Sequence, residues 1–204
     1  MKDIFNKESG YDSTDYYNSI VNAKIGGHTV EDSVSMAMRI LIHLVGDAHQ
    51  PLHGVGRLDK EYPKGDKGGN MFPLPGHYQA NELHAVWDAV AYEFHVNPPM
   101  PFDDDIWAKQ GDFISTLMKN HPKSSLPDTT ELDPIKWQAE SYEIASTFVY
   151  KDIKEGEKLP EEYVNKARDI AETRIVTAGY RLANLLKGLK LSNVSEESSL
   201  FLQK

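Results

Sequence analysis

HLVGDAHQPLH, residues 43–53, places three of the chain's eight histidines and one aspartate in a single short run. Upstream of it, Thr29 stands as an N-cap with Asp32 three residues on, and Val30, Val34, Met38, Leu41, Ile42 and Val45 recur at helical spacing. The run is therefore the end of an amphipathic helix. That helix should stop near His49, because Pro51 has no N–H to donate and its ring clashes with the preceding turn. His43 and Asp47 are i and i+4, so they project from one face a turn apart. His53 lies beyond the proline, outside the helix.

Helical periodicity also governs the rest of the chain, and strand alternation is nearly missing. A short helix is expected around residues 16–23, stopped by Gly26-Gly27. Residues 54–78 are rich in Gly, Pro and charge and read as one long loop, of the length that usually carries function. Asn81 can cap a second helix, NELHAVWDAVAYEFH, ending before Pro98-Pro99. Further amphipathic helices are predicted at about 103–120, 134–151 and 160–187. The last has Pro160 in its first turn and buries Val164, Ala167, Ile170, Ala171, Ile175, Ala178, Leu182 and Leu185. The expected architecture is mostly α: one multi-helix domain over residues 1–190 with a long loop at its site, and a flexible tail over 191–204.

Composition narrows the chemistry. At 204 residues the chain can bury a real core, and 40% hydrophobic with 26% charged residues is ordinary globular usage. No apolar run approaches the ~20 residues of a bilayer span, and the first residues, MKDIFNKESG, lack the apolar core of a secretory signal. Cysteine is absent, so a transition-metal site would have to use His, Asp and Glu. A net charge of −9 argues against broad wrapping of a nucleic-acid duplex. It leaves room for an enzyme whose bound cations supply the local positive field.

The second helix repeats the His-x-x-x-Asp spacing with His84 and Asp88. A pair so spaced holds imidazole and carboxylate within reach of one ion before the ion arrives. One such pair is more often a surface pair or a core histidine with its hydrogen-bond partner. Two pairs on otherwise apolar helices, with His53 between them, favour metal, since an unpaired buried carboxylate is costly. His49 reads either as a donor behind the ligands or as a helix-terminal charge. His28, His77, His95 and His121 fall near ends or in loops and are expected at the surface. Trp87 is expected in the core or in a pocket wall.

These residues carry a resemblance. HLVGDAHQPLH, then DKGGN at 66–70, then ELHAVWD at 82–88, together resemble the zinc-dependent single-strand nucleases of the nuclease S1/P1 type, over about residues 29–92. The resemblance implies a mostly helical domain of the phospholipase C/nuclease type. It implies three zinc ions and hydrolysis of single-stranded DNA or RNA, or of 3′-nucleotides, to 5′-phosphate products by zinc-activated water. His43 and Asp47 match the pair serving the inner ions, with Asp47 the bridging and catalytic carboxylate. His53, His84 and Asp88 match the whole protein ligand set of the remaining zinc. Asp66 and Asn70 match the family's Asp-x-Gly-Gly-Asn loop and would shape it or support the ligands, with Gly68 and Gly69 giving close backbone approach. A plain turn would also account for that loop.

The departures bear on the inner site. Family members complete it with an amino-terminal Trp and further His and Asp residues upstream, whereas here 42 residues precede His43, with one histidine, His28, and no Trp before Trp87. The residue after Asp88, where some relatives have a phosphate-contacting Asn, is Ala89. The chain is thus expected to be an N-terminally incomplete member with at least one zinc site complete, the alternative being a divergent member with a reduced metal count. A monomer acting on single-stranded nucleic acid or nucleotides, away from membranes and in a secreted or lumenal setting, is what the resemblance implies. Tyr62, Phe72 and Tyr78 are candidates for stacking a base, against a plainer role in loop packing. The alternatives are a zinc phospholipase C-like hydrolase and an inactive metal-stabilised binding domain. Asn193-Val194-Ser195 carries the glycosylation acceptor pattern.

Overall fold

The computed structural model describes residues 30–77, 80–94 and 99–189. The expectations for a helix at 16–23, for the Thr29 cap, for His28, Tyr78 and His95, and for the tail at 191–204 lie outside the described residues. The elements are α1 (Val30–His49), β1 (Pro73–His77), β2 (Ala80–Glu82), α2 (Leu83–Asp88), α3 (Asp104–Asn120), α4 (Pro134–Ile144) and α5 (Glu161–Gly188). The protein is mostly α, as expected. Two compact units divide the chain: residues 1–44 with 182–204, and residues 45–181. In the first unit Ala37 and Leu185 are buried, while Ile42 and Leu44 stand exposed.

The second unit is built around Leu52, Phe72, Leu83, Val86, Trp87, Val149, Tyr163, Ala167 and Ala171. The Trp87 indole N–H donates to the Tyr163 hydroxyl at 3.1 Å, and that hydroxyl donates to the Val149 carbonyl at 2.6 Å. Both polar tips of this core are therefore satisfied. Phe148 stacks on Tyr163 at 5.0 Å.

α1 ends as the sequence predicts. Gln50 has φ −81°, ψ 121°, the extended conformation imposed on a residue before proline, and Pro51–Gly54 forms a single 3-10 turn. α3 starts at the Asp103 cap, with Asp104 and Asp105 in its first turn where the helix dipole favours negative charge. α4 starts at the Asp133 cap with Pro134 behind it and runs on into a π-helical turn over Ala145–Val149. The Thr147 hydroxyl takes up the Glu143 carbonyl there at 2.6 Å.

Ile175, expected in the buried stripe of the last helix, is 40% exposed, and three further local expectations are corrected. The loop 54–78 is not continuous, since Pro73–His77 pairs antiparallel with Ala80–Glu82. The second helix has only the six residues of α2, capped by Glu82 rather than Asn81. Beyond it, Val90, Ala91 and Tyr92 take left-handed φ values of 51°, 49° and 72°. Such a turn strains non-glycine residues by on the order of 1–3 kcal/mol each. Burial offsets it: Val90 and Ala91 are 3% and 1% exposed within the core, and Arg168 Nη2 donates to the Ala91 carbonyl at 3.2 Å. His121, third, is buried rather than at the surface, with Nε2 2.7 Å from Glu172 and Nδ1 3.2 Å from the Thr173 hydroxyl.

The end of α1 is anchored by a buried charged network from α4 and α5. Arg181 forks onto Glu140, Nη1 to Oε2 and Nη2 to Oε1, each at 2.7 Å. Arg174 pairs with the same carboxylate and donates through Nε to the His49 carbonyl at 3.0 Å. Ser141 donates to the Ala48 carbonyl at 2.8 Å. These donors satisfy carbonyls that a helix C-terminus leaves unpaired. His49 Nδ1 faces the Val45 carbonyl at 2.7 Å, so it carries the proton, and Nε2 accepts from Arg181 Nη1 at 3.0 Å. Burial, and next the Arg174 charge, push its pKa down to about 4. His49 is thus neutral, and the alternative of a helix-terminal charge is corrected.

Candidate metal centre

α2 divides its side chains cleanly. Leu83, Val86 and Trp87 point into the core, and His84 and Asp88, i and i+4, point the other way. His53 comes from the 3-10 turn after α1. Among the described residues, His53, His84 and Asp88 form the group that could hold a metal ion, their ligand atoms all within 4.8 Å of one another. His53 Nε2 is 3.2 Å from Asp88 Oδ1, and His84 Nε2 is 3.5 Å from Asp88 Oδ2. Zinc bonds of ~2.0–2.1 Å in a tetrahedron require neighbouring donors about 3.4 Å apart. The two spacings to Asp88 match that value, and two imidazoles with one carboxylate is a donor set that zinc accepts.

The ring nitrogens are presented correctly for this. His84 Nδ1 lies 2.7 Å from the Gly68 carbonyl, which can only accept, so Nδ1 is the protonated nitrogen and Nε2 offers its lone pair. His53 Nδ1 faces Asp47 Oδ1 at 3.4 Å, leaving Nε2 toward Asp88. The two imidazoles stack at 4.8 Å with 22° between their planes. The Asp88 hydrogen bond, and the nearby Asp47 charge against some burial, raise the His53 pKa. For Asp88, burial pushes upward but the bonds from His53 and Gln50 outweigh it, so the carboxylate titrates lower than usual. Asp88 is half-exposed, which leaves one side of the group open to solvent.

The remaining sequence-predicted residues fall as follows. Asp47 touches the group through His53. His43 stands on α1 one turn before Asp47, is exposed, and is not among the three grouped donors. His49 lies in the arginine network. Asp66 is fully buried and shapes the loop: its Oδ1 accepts from the Arg57 N–H at 2.9 Å. Asn70 Nδ2 donates to the Lys67 carbonyl at 2.7 Å. Of the stacking candidates, Phe72 is core and is not presented to a base, and Tyr62, partly buried, carries the Arg57 guanidinium over its ring at 5.1 Å. Sequence reasoning missed Gly68 as the acceptor for His84, Glu82 as the acceptor of the His84 N–H at 3.0 Å, and Gln50 as a donor to Asp88. Gln50 and Gly68 stood inside the quoted motifs, but only their fold partners reveal what they bond.

Gly68 permits no other residue. Its φ is +63°, and a Cβ would sit 2.3 Å from the Leu52 carbonyl oxygen. Gly68→Ala should cost about 2–4 kcal/mol, roughly 1–2 for the left-handed backbone and the rest for displacing one strand of loop from the other. Urea unfolding of the metal-free protein measures this. A variant as stable as wild type would mean that the Gly68–Leu52 approach is not as close as described.

Fold and site define a helical domain with a solvent-facing His/His/Asp group of the kind that binds zinc. The comparisons make the class definite: the S1/P1 Nuclease family model matches residues 12–190, and the chain belongs to that family. It is 32% identical over 159 residues to Endonuclease 1 of Arabidopsis thaliana, covering 76% of this chain and 49% of that protein. It is 26% identical over 164 residues to Nuclease S1 of Aspergillus oryzae, with 72% and 52% covered. To Nuclease P1 of Penicillium citrinum it is 25% identical over 173 residues, with 78% and 60% covered. The chain thus spans about half the length of the curated relatives it matches. Zinc dependence is a general property of the family. No helix among the described residues is long and apolar enough to cross a membrane.

Proposed function

We propose that this protein is a zinc-dependent phosphodiester hydrolase acting on single-stranded DNA, RNA or 3′-nucleotides and releasing 5′-phosphate products. The observation that carries the reading is the His53, His84 and Asp88 group on a chain of the S1/P1 family, with two imidazole nitrogens and a carboxylate oxygen within 4.8 Å of one another. When bound, zinc activates water near neutral pH and neutralises phosphate charge. The chain's own residues do the positioning. His84 is fixed by the Gly68 carbonyl and His53 by Asp47, so neither ring needs to turn on metal arrival. Asp88, anionic under all ordinary conditions, supplies the charge that draws a cation in.

Asp47 serves a second purpose in this reading. One oxygen orients His53, and with His43 it forms the chain's contribution to the inner ions that the family carries. The protein acts as a monomer in a secreted or lumenal setting. The acidic surface is compatible with a nucleic-acid substrate because the bound metal, not the surface, supplies the positive field.

The test is release of 5′-mononucleotides from single-stranded DNA by the zinc-loaded chain. Chelation should lower turnover on the order of 10³-fold or more, and added zinc should restore it. Release of phosphocholine from lipid instead would turn the reading toward a phospholipase C. Tight zinc binding without hydrolysis of either substrate would make the domain a metal-stabilised binding module.

A further inference from the structure

Gln50 lies between the two segments that supply the metal ligands and touches both. Its Oε1 accepts from the Leu52 N–H, closing the 3-10 turn that carries His53. Its Nε2 donates to Asp88 Oδ1 at 2.8 Å, across 38 residues of sequence. The amide orientation is not ambiguous: the Leu52 N–H can only donate and the Asp88 carboxylate can only accept, so a flipped amide would lose both bonds.

We infer that Gln50 is the positioning residue of this site, locking the Asp88 carboxylate to the His53 turn so that the ligands are set before metal arrives. The inference rests on the metal-site reading above. Asp88 is half-exposed, and its other partners, His53 at 3.2 Å and His84 at 3.5 Å, are the imidazoles whose nitrogens a metal would take, so Gln50 at 2.8 Å is the contact that persists when metal binds. An uncharged amide is suited to the task. It steadies the carboxylate without bringing a positive charge that would repel a cation, as Lys or Arg would. It also cannot be replaced by a shorter cap. Asn and Ser at position 50 can still accept from the Leu52 N–H, as N-cap residues do, but neither reaches Asp88.

That difference separates positioning from folding. Zinc affinity is measured by competition with a chromophoric chelator on the full chain, alongside metal-free thermal unfolding and the visible spectrum of bound Co2+, which reports ligand geometry. Gln50→Asn should leave the metal-free midpoint near that of wild type, weaken zinc binding about 10–100-fold, the range typical of groups that orient ligands, and alter the Co2+ spectrum. Gln50→Ser serves as the second variant with the same expectation, should Gln50→Asn fold poorly. Wild-type affinity in either folded variant overturns the role of Gln50 while leaving the metal site standing. A wild-type chain that takes up no zinc overturns the site itself, and with it this inference.

Discussion

Asp88→Ala should abolish zinc-dependent stabilisation of the protein. In wild type, zinc at 100 times its dissociation constant would stabilise the native state by about 2.7 kcal/mol, raising the thermal midpoint by roughly 5–10 °C for a unit of this size. Asp88 contributes the only carboxylate of the grouped donors, held anionic by His53 and Gln50. Without it, two stacked imidazoles remain and the nearest carboxylate, Asp47, lies on the Nδ1 side of His53, away from the grouped donor atoms, so affinity should fall on the order of 10³-fold. The metal-free variant should stay within about 1 kcal/mol of wild type, because the ion pair lost is half-exposed. Parallel melts with zinc and with chelator check both halves. An unchanged zinc shift in the variant would place the ion elsewhere.

Glu140→Ala should destabilise the protein more than any other single change considered. Arg174 and Arg181 are 3% and 0% exposed, and Glu140 is the carboxylate they share. Removing it leaves two buried guanidiniums facing each other, at an expected cost of about 3–5 kcal/mol, or a midpoint lower by roughly 6–20 °C. Glu140→Gln should cost less, since the amide oxygen still accepts from one arginine. Burial pushes the Glu140 pKa up, but the bonds from Arg181 and Arg174 outweigh it and hold the group ionised. Its contribution is therefore complete above the usual carboxylate range of about 4.3 and is lost as pH falls through the lower folded value. Urea unfolding across that range measures the effect. A Glu140→Ala protein as stable as wild type would show that the arginines find other counter-charges.

The network matters to the site because it grips the last turn of α1. Arg174 and Ser141 bond the His49 and Ala48 carbonyls, four and five residues before His53. Core and site thus share one segment, and the position of the His53 turn follows from charges buried on its far side.

Much of this was determined locally and could be read from the chain alone. The end of α1 follows from Pro51, the starts of α3 and α4 from Asp103 and Asp133, and the shared face of His84 and Asp88 from helical spacing. Each depends on a few neighbouring residues, so sequence carries it whole. Other features were decided only in the tertiary structure. α2 stops at Asp88, and Val90 and Ala91 turn through left-handed φ into the core instead of extending the helix, a choice that only the core they enter explains. His49 is neutral because arginines 125 and 132 residues away surround it. His84 presents Nε2 because the Gly68 carbonyl, 16 residues earlier, takes its other nitrogen. Spacing places donors along a helix, but tautomers, charges and the meeting of His53 with Asp88 depend on partners brought near by packing, and the free energy of that packing is not written in any local stretch of the chain.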